Sequence, residues 1–289
     1  MFKSLLPKRI KKTMSLYLSM HKIAICEYKN NRPIFLAGEF IQSDAEWPLV
    51  LKKWVTEYRL QNYTVSIVLG KDFYQKFDLD KPELDEKELM ATLPFAIKEL
   101  VSESVFDLVV DYIDKPPQVR KKNQMTVVCI NKHKVFNLRD MLSAHKLKLR
   151  TITIEEIAAC QLFTYSEDVN ILLSQQYNEL LLSVVKERQL YFSLRIRGYN
   201  ELLSDSLDGE DNILVDGLSL EIQRALDFIH SQLQISTITT LYLALQCSDI
   251  HLLSTKLSNY IGKTIKPFPT QYNYNFLLAY GGFEQEGNV

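Results

Sequence analysis

The chain is short of glycine, with only 9 in 289 residues, about half the usual share. Glycine lets backbone approach a ligand closely and take left-handed conformations, so chemistry built on glycine-rich phosphate loops has little to work with here. Cysteine is sparse too. Cys26, Cys129, Cys160 and Cys247 lie far apart inside apolar segments, which excludes a disulfide framework and points to buried free thiols in a reducing compartment. The five histidines, at 21, 133, 145, 230 and 251, pair neither with one another nor with a cysteine at metal-ligand spacing. No apolar run approaches the roughly 20 residues of a membrane span, and no apolar core of a secretory signal follows the basic N-terminus. Neither charge sign dominates. With 34 basic against 35 acidic residues the net charge is −1, which removes the electrostatic case for nucleic acid. Hydrophobic residues make up 46%, as in ordinary globular proteins. The expectation is a soluble cytoplasmic protein of one large or two ordinary domains.

What is present is organised around Asn170–Gly198. Ile171–Ser174, Glu179–Val185 and Gln189–Arg195 read as three strands of an antiparallel meander, split by Gln175–Asn178 and Lys186–Arg188. Ahead of it, Met14–Met20, Lys22–Tyr28 and Ile34–Phe40 read as strands. Ser43 with Glu46 forms a capping box opening a helix, whose first turn tolerates Pro48. Trp47, Leu51, Trp54 and Tyr58 fall at helical spacing and form a core stripe. Thr64–Leu69 is a buried strand ending at Gly70. Lys71–Asp85 is polar, and Asp85 caps a helix from Glu86 to about Leu100 that breaks or kinks at Pro94. Ser104–Ile113 alternates as a half-buried strand, with Phe106, Leu108, Val110 and Tyr112 on the apolar face. Met125–Ile130 pairs with it beyond a Pro116–Pro117 turn. Val135–Ala144 is a helix and Leu149–Ile152 a strand.

Thr153 and Glu156 make a second capping box, in which the carboxylates of Glu155 and Glu156 serve the cap and the helix dipole rather than catalysis. After an acidic loop, Leu218–Leu233 is the strongest amphipathic helix. Thr239–Leu245 is a buried strand, Ile250–Ile261 a helix capped by Gly262, and Asn275–Tyr280 a last short helix. The basic Met1–Thr13 segment reads as a frayed, solvated terminus rather than a membrane anchor. Gly262-Lys263-Thr264 looks like the end of a P-loop, but Leu257 stands where that motif needs glycine. No G-x-S-x-G or zincin motif occurs, and Asp107 and Asp111 read as solvated strand carboxylates.

This order of elements resembles the actin-like ATPase superfamily: α/β, two related domains of ribonuclease H-like fold and a small inserted subdomain. Local segments are similar to PilM-type type IV pilus assembly proteins, most closely the shorter MshI branch of MSHA pilus biogenesis. They are Leu93-Pro94-Phe95-Ala96-Ile97 with Phe106-Asp107-Leu108, Thr153–Ala158, Tyr191–Gly198, Leu220–Leu226 and Leu277–Gly282. The resemblance implies domain I over residues 1–168, with the insert at about 71–131. It implies domain II over 169–274, and a closing helix and tail over 275–289 that return to domain I.

The departures from that pattern concern the nucleotide. The family's two phosphate turns carry Asp and glycine, whereas here they read Leu18-Ser19-Met20-His21-Lys22 and Ser174-Gln175-Gln176-Tyr177-Asn178. The adenosine double glycine is replaced by Leu245-Gln246-Cys247-Ser248. Ser19, Lys22, Gln175, Gln176, Gln246 and Ser248 therefore line a degenerate cleft, with neither ATP nor Mg²⁺ expected as cofactor, no metal and no catalysis. The resemblance implies a scaffold that binds the cytoplasmic N-terminal peptide of a bitopic, PilN-like inner-membrane protein in a groove beside the insert. The residues proposed for that groove are Leu93, Phe95, Ile97, Phe106, Leu108, Val110 and Tyr112. Contact with the inner-membrane platform and its assembly ATPase is implied as well, which would hold the protein at the inner face of the inner membrane. The alternatives are an ATP-binding protein of the same family with an atypical site and, further off, a sugar-kinase-like enzyme.

Overall fold

A computed structural model describes residues 12–29, 32–116, 123–204, 212–235, 237–238, 240–270 and 273–282. The basic segment before Lys12 and the tail after Gly282 lie outside the described residues.

Two five-stranded sheets repeat one topology. The first contains β1 (Thr13–Leu18), β2 (Lys22–Lys29), β3 (Arg32–Phe40), β4 (Thr64–Leu69) and β8 (Lys148–Ile154), in the order β3-β2-β1-β4-β8. β1, β2 and β3 pair antiparallel, and β4 and β8 add parallel strands on the far side. The second sheet contains β9 (Asn170–Gln175), β10 (Glu179–Lys186), β11 (Gln189–Arg197), β12 (Thr240–Ala244) and β13 (Ile265–Pro267), in the order β11-β10-β9-β12-β13 with the same pairing senses. Hairpins close the antiparallel pairs, and the parallel steps need helical crossovers. These include α1 (Trp47–Glu57) and α3 (Lys132–Ala144) in the first lobe and α6 (Ile213–Gln232) and α7 (Ile250–Ile261) in the second.

Between β4 and β8 sits the insert. It is an antiparallel sheet β5-β7-β6, formed by β5 (Gln75–Asp80), β6 (Leu108–Asp114) and β7 (Gln124–Asn131), with α2 (Glu86–Ala96) against one face. Polar Lys71–Asp85 therefore holds a strand that its composition does not announce. The cause is a short alternation, in which Phe77 and Leu79 pack on the insert core while Gln75, Lys76, Asp78 and Asp80 face outward or sideways. α2 runs through Pro94 and ends two residues later at Ala96, short of the expected Leu100. Phe106 belongs to a 3-10 turn rather than to the strand. α6 begins at Ile213, five residues earlier than its apolar face suggests, because the Asn212 side chain accepts from the Leu214 and Val215 N–H groups.

Each lobe has its own core. Trp47, Leu51 and Trp54 of α1 pack under β1 and β4 as the stripe predicts, and Leu218, Ile222, Ala225 and Ile229 of α6 pack under the second sheet. A third apolar cluster joins the lobes: Tyr17, Ala24 and Val68 from the first, Leu172, Ala244 and Phe268 from the second, and α8 (Leu277–Tyr280) between them. The helices α4 (Glu155–Gln161) and α5 (Glu201–Ser204) complete the fold. α4 follows β8 directly. Thr153 is still in the β8 ladder opposite Val68, so it caps nothing, and the N-cap is Ile154.

Candidate functional site

The two hairpin turns of the lobes face each other across the cleft. The first, between β1 and β2, is closed by Ser19: its N–H donates to the Lys22 carbonyl at 2.9 Å, and its Oγ accepts from the Lys22 N–H at 3.0 Å. In the second, Gln176 N–H donates to the Glu179 carbonyl at 2.8 Å. The His21 and Tyr177 rings then stack across the gap, 3.8 Å between centroids. Two aromatic rings thus fill the mouth between the turns. Behind them remains a polar pocket of only about 140 Å³, with Ser19, Lys71, Gln176 and Arg195 in its walls.

The six expected cleft residues separate in the structure. Ser19 and Gln176 reach the pocket, where Gln176 accepts from Tyr17 Oη at 3.2 Å. Lys22 does not. It is 1% exposed, and its Nζ runs behind the turn to the Asn275 carbonyl at 3.3 Å and over the Phe40 ring. Burial lowers its pKa to about 8, against the pull of Glu155. Gln175 Oε1 accepts from the Gln246 N–H at 2.8 Å, which ties β9 to the loop after β12. Gln246 and Ser248 are exposed there.

The floor of the cleft is ionic, and sequence reasoning missed it. Arg195 of β11 donates through one terminal nitrogen to Glu155 Oε2 at 2.7 Å, Glu156 Oε1 at 3.1 Å and Tyr74 Oη at 3.1 Å. Its other nitrogen reaches Glu179 Oε1 at 2.7 Å. Lys71 pairs with Glu179 at 2.5 Å, and Lys76 with Glu156 at 2.9 Å. Tyr17 Oη donates to Glu155, and Tyr74 Oη to Glu156. The Glu155, Glu156 and Glu179 side chains are 3%, 0% and 0% exposed. Carboxylates so deep stay ionised only beside cations, and Arg195, Lys71 and Lys76 supply them.

The pKa directions follow from that geometry. Burial and the Glu156 charge push Glu155 up despite Arg195. Burial also works against ionisation of Glu156 and Glu179, but Lys76 and Arg195 outweigh it for the first, Lys71 and Arg195 for the second, and both end low. The reading of Glu155 and Glu156 as capping carboxylates is thereby corrected. Their helix begins at the last residue of β8, which aims both side chains across the cleft instead of back at their own backbone. A usable signal was Arg195 itself, the one cation within the run Leu190–Ile196, next to its end.

Magnesium and nucleotide do not fit these residues. The turns carry side chains where glycine backbone would cradle phosphate, the rings occupy the mouth, and the three carboxylates already hold protein cations. Among the described residues no His/Cys/Asp/Glu group has metal-holding geometry.

The partner residues also separate. Leu93, Ile97 and Leu108 are 0%, 0% and 8% exposed and form the core of the insert, with Val110 and Tyr112 packed on it. Leu93, Ile97 and Leu108 are occupied in stabilising the insert, since α2 covers that face of β6. Phe95 and Phe106 stand 62% and 76% exposed on the outer surface. An apolar groove lies on the opposite face of the same sheet. Val109 and Ile113 of β6 and Val128 and Ile130 of β7 face Ile152 of β8 and Ile157 of α4 across about 380 Å³. Of the seven expected residues, Tyr112 alone lines it. β8 is an edge strand of its sheet, so its backbone borders the groove.

No protein-family model matches the sequence, and no curated protein matches it. Solved structures do. A chain of a PilM-PilN type IV pilus biogenesis complex superposes with a TM-score of 0.71 at 14% identity, over 96% of this chain and 100% of that one. The cytoplasmic domain of EpsL, an inner-membrane component of the Vibrio cholerae type II secretion system, gives 0.57 at 13% identity over 93% and 94%. A Bacteroides thetaiotaomicron protein with an actin-like ATPase fold and unknown function gives 0.56 at 14% identity over 96% and 98%. The chain has the actin-like ATPase fold. No helix among the described residues is long and apolar enough to cross a membrane.

Proposed function

We propose that this protein is a non-catalytic scaffold of a pilus or related secretion machine, of the PilM type and nearest the MSHA branch. It holds the cytoplasmic N-terminal peptide of a PilN-like inner-membrane protein. The observation that carries this reading is the apolar groove between the outer face of the insert and the edge of β8. An extended peptide suits such a place, because an exposed edge offers backbone hydrogen bonds and the flanking pockets take alternate side chains. The likeness to a chain from a PilM-PilN complex supports the choice of partner. Through that partner the protein sits at the inner face of the inner membrane, within reach of the platform and assembly ATPase. The blocked turns and paired carboxylates support the absence of ATP, Mg²⁺ and turnover.

The test is titration of the N-terminal peptide of the PilN-like partner against wild type and Val109→Arg. Val109 is 41% exposed, so the variant folds. It binds at least tenfold more weakly, the loss expected when an anchor pocket is filled by a charge. Equal binding by both proteins removes the groove from the account. Millimolar Mg-ATP leaves the melting temperature unchanged, and a clear rise would restore the nucleotide reading.

A further inference from the structure

The charge cluster in the cleft joins the two lobes. Lys71, Tyr74, Lys76, Glu155 and Glu156 belong to the first lobe and its insert, while Glu179, Ser193 and Arg195 belong to the second. Arg195 to Glu155 and Glu156, Lys71 to Glu179, and the Lys76 bond to Ser193 Oγ at 2.8 Å all cross between them. A second pocket, of mixed polar and apolar lining and about 220 Å³, lies beside this cluster. Its walls are Lys76, Ile113 and Ile154 from the first lobe and Tyr191, Phe192 and Ser193 from β11. It shares Ile113 and Ile154 with the apolar groove, so the two lie side by side, and this one exists only while the lobes are together.

We propose that the Arg195 cluster is a built-in clamp which holds the lobes closed in place of a bound nucleotide, and that closure joins the second pocket to the partner groove as its far end. The first half stands on the cross-lobe ion pairs alone; the second rests on the partner reading above. Three buried carboxylates at one seam repel each other unless cations reach them, and Glu155 draws its cation, Arg195, from the opposite lobe. Separating the lobes breaks the Arg195 pairs to Glu155 and Glu156 and the Lys71 pair to Glu179, leaving Glu156 with Lys76 and Glu179 with Arg195 and Arg197, while Glu155 loses its only ion pair among the described residues. Opening is thus opposed by the chain itself, and it carries the β11 wall away from Ile113 and Ile154.

Hydrogen exchange on the full chain, with and without millimolar Mg-ATP, tests the clamp in wild type, Arg195→Met and Lys71→Met. Wild type protects the Leu18–Lys22 and Ser174–Asn178 turns and β11 equally in both conditions. Either variant raises exchange there on the order of tenfold, while β4 and β12 keep their protection. Lys71 is 28% exposed, so its variant decides the matter if Arg195→Met does not fold. Variants that exchange like wild type overturn the clamp, as does a wild type that tightens when Mg-ATP is added. For the joined groove, the full partner peptide and a truncation filling only the apolar groove are titrated against Lys71→Met, a residue that lines neither part. The full peptide loses affinity and the truncation does not. Equal losses overturn the coupling, and a peptide that fails to bind wild type ends the partner reading while the exchange result still judges the clamp.

Discussion

Lys22 offers a sharp check on how the cleft is built, because its buried ammonium leaves a signature in the pH dependence of stability. In the folded chain its pKa is lowered to about 8, burial outweighing Glu155, whereas an unfolded lysine titrates near 10.4. Below about pH 8 both states carry the proton, and the folded state bears the full cost of a buried charge. Between the two values the unfolded state holds more protons than the folded one, so stability rises with pH. A displacement of about 2.5 units corresponds to about 3 kcal/mol at pH 7, of which about 2 kcal/mol is relieved by pH 9.5. Other groups titrate in this window with the opposite sign. Burial raises Cys26 to about 12 and also raises Cys129, Cys160 and Cys247, so above about pH 9 each lowers stability as its unfolded thiol ionises first. Comparison with Lys22→Met cancels those shared contributions. The assay is urea unfolding of wild type and variant at half-unit steps from pH 7 to 9.5. The variant's advantage over wild type should shrink by about 2 kcal/mol across the range, whatever its absolute value after losing the Asn275 contact. A pH-independent difference would refute the burial argument. It is the result expected of a solvated lysine facing the cleft, ready for an anion.

The three carboxylates should respond unequally. Glu179→Gln, removing a charge that Lys71 and Arg195 hold low, is expected to destabilise by about 3 kcal/mol near neutral pH. Glu155→Gln, removing one that burial already pushes toward protonation, should cost less than half as much; denaturant midpoints rank them, and the reverse order would discredit the assigned geometry. Acidification through the carboxylate range removes the stabilisation from Glu156 and Glu179, present above their unfolded pKa and lost as the pH falls through the lowered folded values. It relieves Glu155 at the same time, so Glu155→Gln should unfold at a higher pH midpoint than wild type. Gly281→Ala places a methyl inside the van der Waals envelope of the Ala158 carbonyl where α8 meets α4. A loss of about 1–3 kcal/mol follows, and a melting temperature equal to wild type would show that α8 can shift.

The duplicated sheets were legible because each strand announced itself locally. The meander Asn170–Arg197 has its strands within two residues of their predicted ends. The helices from Ser43, Asp85 and Ile250 start or stop at their capping residues, with Gly262 left-handed at φ 66°. Composition alone hid β5, since Phe77 and Leu79 are too few to outweigh the charges around them. The site was harder to read for a related reason. Which face of β6 packs on α2 and which lines the groove depends on where β8 and α4 stand, and the alternation Phe106–Tyr112 states only that the faces differ. Glu155 and Glu156 likewise resemble ordinary first-turn acids until Arg195 arrives from a strand 39 residues later. Ion pairs between lobes leave no local pattern in a sequence.

The placement of the remaining glycines completes the reasoning about the cleft. Gly70 lies against Ser19, Gly38 against the Phe276 ring, and Gly282 against Ser15 and Val68, each too close for a Cβ without displacement of its neighbour. Together with Gly281 they sit where first-lobe strands meet one another or receive the C-terminal segment. Selection for close packing therefore accounts for them, and none stands on the turns at Ser19–Lys22 and Gln175–Asn178. These four glycines serve cohesion, and the turns carry His21 and Tyr177, whose rings meet each other. On this reasoning, glycine at positions 21 and 177 would open the mouth without creating a phosphate site, because Arg195 and Lys71 would still hold the carboxylates behind it.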